Sequence, residues 1–331
     1  MSVAYYQIHG VGLEVQTSAP DLLRLVHQCL APYAAAPAAA PSLRFELSWD
    51  PRDWMVPTHA RRFLHYGSLR AFALDGRLYF TDYLSCLILE PGHRLVRGYL
   101  SEASLRENGE RVFIHLLFTV TLFEALRQHG LFFLHAAALE SPEQEGYLFV
   151  ANAYSGKTSL TLALIQQGFR YLSDDTVFLR PVPEGLEVLP WIRPFHIASE
   201  VIPLYPELSH LAGRPDSFPG HSKKDLRPEE CYPDRQTRRL LNPAWLFFPS
   251  LTAEPHSRLQ PLSSGEALPL LLPQSLAVMF DLKLAPEHLQ ALKRLLRSAR
   301  SFRLWSGTDI KTDPGRLREV LDQARNQGAK S

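Results

Sequence analysis

One stretch constrains this chain more than any other: an apolar run, a short polar loop carrying Gly156-Lys157-Thr158, and a second apolar run. Residues 146–151 read as a strand, and 158–167 as a helix ended by Gly168. Residues 131–139 read as a strand before the loop and 169–179 as one after it. Strand, loop, helix, strand is the skeleton of a nucleotide-binding core. A P-loop needs backbone N–H groups curled around phosphate at a helix N-terminus, a lysine reaching the terminal phosphate, and a hydroxyl for Mg2+. Gly156, Lys157 and Thr158 supply these parts in order, within Ala151-Asn152-Ala153-Tyr154-Ser155-Gly156-Lys157-Thr158-Ser159. A Gly-Lys-Ser/Thr triplet is expected only ~0.05 times in a chain of this composition. The competing reading is an ordinary helix N-terminus capped by Ser155, with Lys157 in solvent.

Composition adds weight to Lys157. The 35 basic residues include only seven lysines, and none precedes position 157. In a chain that otherwise relies on arginine, Lys157 and the pair Lys223–Lys224 stand out. Asp174 and Asp175 follow in an apolar setting, Tyr171-Leu172-Ser173-Asp174-Asp175-Thr176-Val177-Phe178-Leu179. Consecutive side chains in a strand face opposite ways. Two carboxylates there are costly to bury without a cation or a hydrogen-bonding partner. One would hold Mg2+ and the other, near the strand end, would accept a substrate proton. A surface Asp-Asp turn is the alternative. His135, in Phe132-Phe133-Leu134-His135-Ala136, reads on local grounds as a hydrogen-bonded core histidine sooner than as a catalyst.

The rest of the chain bounds its class. With 331 residues, 46% hydrophobic and 21% charged, there is material for two domains. A net charge of +1 gives no field that recruits nucleic acid or an anionic membrane. No apolar run reaches the roughly 18 residues of a membrane helix; the longest, 112–126, is broken by His115 and Glu124. The opening Met1-Ser2-Val3-Ala4-Tyr5-Tyr6 lacks the regions of a signal peptide. Cys29, Cys86 and Cys231 fit neither a zinc knuckle nor a disulfide framework. These features predict a cytoplasmic protein with no nucleic-acid or membrane partner.

Along the chain, 1–110 reads as a small, mostly β N-terminal domain. Its strands are 43–49, a hairpin over 71–83 turning at Asp75-Gly76, 86–89 and 95–100. An apolar helix over 112–129 opens a nucleotide-binding domain spanning 111–331. Residues 198–237 read as a mobile lid or a long surface loop, and 301–304 as an edge strand.

With these pieces in order, the chain resembles the catalytic domain of HPr kinase/phosphorylase. It is more similar still to the shorter HPr-kinase-related proteins found beside peptide-modification genes. The resemblance is carried by His135, the strand from Tyr147, Ser155-Gly156-Lys157-Thr158-Ser159-Leu160, Gly168-Phe169 and Leu172-Ser173-Asp174-Asp175, a close match over about 50 residues. It implies an α/β (α+β mixed) class, with an HPr-kinase-like P-loop core related in fold to ATP-dependent phosphoenolpyruvate carboxykinase. It implies ATP and Mg2+, and phosphoryl transfer to a serine hydroxyl of a peptide or small-protein acceptor. Tyr154, Ser155, Gly156, Lys157, Thr158 and Ser159 would cradle the nucleotide. Lys157 would lie on the β/γ-phosphates, Thr158 and Asp175 on Mg2+, and Asp174 would be the base toward the acceptor, with His135 nearby in the catalytic set. Lys223 or Arg193 would add positive charge. A homo-oligomer is compatible with the family, whose full-length enzymes assemble as hexamers while the short forms need not. The chain departs from the family loop, which has glycine at Ala151, a small hydroxyl residue at Ala153 and glycine at Tyr154. A tyrosine where backbone must curl over phosphate is strained or turned outward. These departures keep a second reading open: a pseudokinase that binds a peptide or protein partner without transferring phosphate.

Overall fold

The computed structural model of the chain describes residues 1–37, 40–50, 54–90, 92, 94–218, 221–279 and 283–327. It is mixed α/β and divides into two units, Met1–Leu131 with Met279–Leu284, and Phe132–Val278 with Ala285–Ser331. The division falls at Leu131, beyond the residue 110 expected from the sequence.

The first unit holds an eight-stranded sheet. Its strands are β1 (Ser2–Ile8), β2 (Val11–Thr17), β3 (Leu43–Trp49), β4 (Arg61–Tyr66), β5 (Leu69–Leu74), β6 (Arg77–Thr81), β7 (Cys86–Leu89) and β8 (Leu95–Leu100). They lie in the order β1-β2-β3-β8-β7-β6-β5-β4. Asp75 and Gly76 join β5 to β6 at φ 50° and 77°, the positive values that a two-residue hairpin turn requires. Helix α1 (Pro20–Leu30) buries Leu22, Leu25, Val26 and Leu30. The single helix expected over 112–129 is instead three segments: α2 (Glu102–Val112), a π-helical turn Phe113–Phe118, and α3 (Thr119–Arg127). Ser101 starts the first of them earlier than the apolar run does, its hydroxyl accepting from the Ala103 N–H at 3.2 Å.

The second unit is built on a nine-stranded sheet. In chain order come β9 (Phe132–Glu140), β10 (Gly146–Val150), helix α4 (Lys157–Gln166), β11 (Arg170–Ser173), β12 (Thr176–Val182) and β13 (Gly185–Pro190). Next are β14 (Phe195–Ala198), β15 (Asp216–Phe218) and β16 (His221–Leu226), then β17 (Leu240–Leu241), β18 (Trp245–Leu251) and β19 (Arg258–Leu262). Helices α5 (Ser264–Leu271) and α6 (Ala285–Ser298) follow, then β20 (Arg300–Ser306), α7 (Thr308–Thr312) and α8 (Arg316–Gln327). The sheet order is β17-β13-β12-β9-β10-β18-β20-β19, with β11 also on β9. Every residue of β10 is buried, as a central strand covered on both faces must be. Tyr147 and Phe149 pack with Leu160, Leu164 and Leu321 on one face, while Leu148 and Val150 pack with Leu292 and Leu295 on the other. Each such side chain contributes roughly 1.5–3 kcal/mol. The loop into α4 therefore leaves the end of a rigid central strand.

Three expectations for this second unit are corrected. Residues 169–179 are not one strand: β11 and β12 both run antiparallel to β9, and Asp174-Asp175 interrupts them. The strand expected at 301–304 is no edge, since β20 lies between β18 and β19. The interval 198–237 contains β15 and β16, which form a three-stranded sheet with β14 in the order β14-β16-β15. No helix among the described residues is long and apolar enough to cross a membrane.

Candidate phosphate site

Strand pairing sets the position of His135. Ala136 of β9 lies opposite Val150, the last residue of β10, and His135 lies opposite Thr176 of β12. His135 thus sits one step beyond the end of β10, between the loop that leaves that strand and the Asp174-Asp175 interruption. The loop itself turns through two left-handed residues, Tyr154 at φ 64° and Gly156 at φ 84°. Gly156 is the N-cap of α4 and offers no side-chain cap, and the first-turn N–H groups of a helix have no partner within it. Ser155, the cap expected on the competing reading, instead donates its hydroxyl to the Asn152 carbonyl at 2.7 Å. Asn152 Oδ1 in turn accepts from Gln274 Nε2 at 2.6 Å.

Lys157 is not in solvent: it is 6% exposed. Its ammonium donates to the carbonyls of Ala151 at 2.7 Å and Asn152 at 2.9 Å, and lies 3.0 Å from His135 Nε2. An ammonium only donates, so His135 Nε2 accepts and the ring proton sits on Nδ1. That atom faces Asp175 Oδ1 at 3.5 Å. Burial pulls the Lys157 pKa down to about 8, against the opposing pull of Asp175 and Asp174. Burial also lowers His135, with Lys157 and Arg193 adding to it and Asp175 opposing.

The carboxylates sit differently from strand residues. The Ser173 hydroxyl accepts from the N–H groups of Asp175 at 3.3 Å and Thr176 at 3.1 Å, closing a local turn. At this turn the two carboxylates take different partners. Asp174, buried at 3% exposure, accepts from Thr158 Oγ1 at 3.1 Å. Asp175 accepts from Thr176 Oγ1 at 2.8 Å and from Arg193 Nη1 at 3.1 Å. Burial, reinforced by the charge of Asp175, pushes Asp174 well above the usual carboxylate range. Burial acts upward on Asp175 too, but Arg193 and His135 outweigh it and hold that group ionised.

His135, Lys157, Thr158, Asp174 and Asp175 are therefore one connected group, drawn from β9, α4 and the interruption between β11 and β12. Ser159 meets its surroundings through its carbonyl, which accepts from the Tyr205 hydroxyl at 3.4 Å. Tyr154 is 65% exposed, with Lys223 Nζ 4.3 Å from its ring centroid. Two residues escaped sequence reasoning: His196 and Asp225, which link to Arg193. They lie 29 positions apart with no local period to join them; only the pairing of β14 with β16 does so.

No family model matches the chain, and no curated protein matches it. Among solved structures it is similar to the HPr(Ser) kinase/phosphatase from Coxiella burnetii, at 15% identity over 60% of this chain and 99% of that one, with a TM-score of 0.31.

Proposed function

We propose that the second unit binds ATP·Mg2+ at the loop 151–158 and transfers a phosphoryl group to a serine hydroxyl of a peptide or small protein. The observation behind this reading is the connected group around Lys157, at an uncapped helix N-terminus. The α4 N–H groups and Lys157 would hold the phosphates. A hydroxyl has one proton and two lone pairs. Thr158 gives that proton to Asp174, which leaves its lone pairs for a cation. Asp175, kept ionised, is a second hard oxygen donor. Among the described residues no three His, Cys, Asp or Glu side chains are placed to hold a metal by themselves. That suits Mg2+, which takes one or two protein oxygens and completes its shell with phosphates and water. Bound ATP·Mg2+ supplies the transferable group and the charge neutralisation. Of two carboxylates in contrasting environments, the one with the raised pKa suits proton transfer near neutral pH. Asp174 Oδ2 is engaged by Thr158, so Oδ1 would take the acceptor proton. The serine acceptor rests on the order of motifs in the sequence.

ATP·Mg2+ is expected to raise the melting temperature, by the equivalent of ~1.4 kcal/mol at ten times Kd. Lys157→Ala should remove that shift and leave a folded chain. The second reading, partner binding without transfer, is favoured by one observation: Lys157 is turned back onto the carbonyls of its own loop. A chain whose melting is indifferent to millimolar ATP·Mg2+ would select it.

Tyr154 permits a separate test. Its left-handed backbone costs on the order of 1 kcal/mol. That cost is already present in the structure, so it belongs to folding and not to the binding step. Tyr154→Gly is therefore expected to change ATP·Mg2+ affinity by less than about threefold. A tenfold gain in a direct titration would mean that ligand binding itself incurs the strain.

A further inference from the structure

The small sheet formed by β14, β16 and β15 presents a polar face that no motif announced. His196 and Asp225 are direct cross-strand partners, so their side chains stand together. Lys223, two residues before Asp225, shares that face of β16. His196 Nδ1 lies 2.8 Å from Asp225 Oδ1, and Arg193 Nη2 contacts His196 Nε2. The other terminal nitrogen, Nη1, is the one that reaches Asp175. The three side chains are mostly withdrawn from solvent, at 21% exposure for Arg193, 17% for His196 and 31% for Asp225. Arg193 Nε is buried with no hydrogen-bond acceptor among the described residues.

A guanidinium only donates. His196 Nε2 must therefore be the accepting nitrogen, and the ring proton sits on Nδ1, donated to Asp225. The reversed tautomer would set an N–H against an N–H. A carboxylate behind an imidazole is the usual means of fixing which nitrogen faces forward. Burial, with Arg193 adding to it, favours the neutral ring, while Asp225 and Asp175 pull the other way.

We infer that His196 and Asp225 are a positioning pair that fixes the Arg193 guanidinium beside Asp175, so that its charge is set in place for an anionic substrate. The anion rests on the phosphoryl-transfer reading; the fixing of Arg193 does not. A guanidinium held in one orientation loses less freedom when it meets a phosphoryl oxygen, and this is how a second layer of residues supports charge stabilisation.

The test uses the full chain labelled with 15N, compared with Asp225→Asn, His196→Ala and His196→Gln. Asparagine keeps the shape of Asp225 but also carries a donor, which releases the tautomer while preserving the fold. In the wild type, His196 should carry its proton on Nδ1 at neutral pH. Asp225→Asn should give a mixture of tautomers, and exchange of the Arg193 Nη protons should quicken about tenfold in Asp225→Asn and His196→Ala. Glutamine, whose Oε1 can accept from Arg193, should restore slow exchange. A proton on Nε2 in the wild type, or Arg193 exchange unchanged in both variants, overturns the inference. A parallel ATP·Mg2+ titration should show about tenfold weakening in His196→Ala and in Arg193→Ala, with no further loss in the double variant; additive losses overturn the inference as well. Absence of ATP binding by the wild type removes the phosphoryl-transfer reading only, and the spectra then decide the pair.

Discussion

Asp174→Asn is expected to slow phosphoryl transfer by about 10²–10⁴-fold while leaving ATP·Mg2+ affinity within about threefold. Asparagine fills the same space in a buried site, and its amide oxygen still accepts the Thr158 hydroxyl. What it cannot do is take a proton. Asp175→Asn is expected to behave differently. It removes the charge that faces both Arg193 and His135, so Mg2+-dependent binding should weaken before transfer is measured at saturation. Release of inorganic phosphate from ATP, with water standing in for the acceptor hydroxyl, gives the rate without knowledge of the natural acceptor. Titrations with and without Mg2+ give the binding. If both variants matched the wild type in both measurements, the division of labour between the carboxylates would be wrong.

Lys157 should make the folded chain more stable as pH rises through a range where most proteins begin to weaken. Burial, opposed by Asp175 and Asp174, brings its pKa to about 8 from an ordinary 10.5. Between these values the unfolded chain binds the extra proton, so stability climbs with pH; below about 8 both states carry the charge and the full cost is present. The interval corresponds to about 3 kcal/mol at roughly 1.4 kcal/mol per pH unit. Lys157→Met removes this dependence, and other titrating groups cancel when the two proteins are compared. Urea unfolding of both, from pH 7.5 to 10.5, should show the wild type gaining on the variant by about that amount. A constant difference would show that the ammonium is better solvated than its burial implies. An anion placed beside Lys157 would offset part of the cost that burial puts on its charge.

The sequence carried the local part of this architecture. Strands β3, β7 and β8 fall residue for residue where short apolar runs bounded by turn formers put them, and the apolar run, Gly156-Lys157-Thr158 and helix are where their spacing indicated. The break at Asp174-Asp175 was hidden because it depends on the Ser173 side chain bonding to backbone, a choice that leaves the apolar pattern untouched. The role of His135 was ambiguous for another reason. Its neighbours Lys157 and Asp175 come from different elements, and only the pairing of β9 with β10 and β12 brings them together. His196 and Asp225 lie in an interval whose strands are short and polar, so periodicity had nothing to register.

Strand β9 acts as a datum for the site. Along one edge it is bonded to β10, which launches the loop; along the other it is bonded to β11 and β12, which bracket the two carboxylates; and it carries His135 itself. Each part of the candidate site is thus referenced to the same nine residues by a single ladder of hydrogen bonds. Placement errors do not accumulate from one part to the next, as they would along a chain of loops. Connections such as 141–145 or 183–184 are free to vary in length and composition without disturbing the alignment. One inserted residue within β9, by contrast, would turn His135 to the other face and displace both neighbours at once. A site built this way tolerates wide drift in the surrounding sequence, so long as one short strand keeps its count.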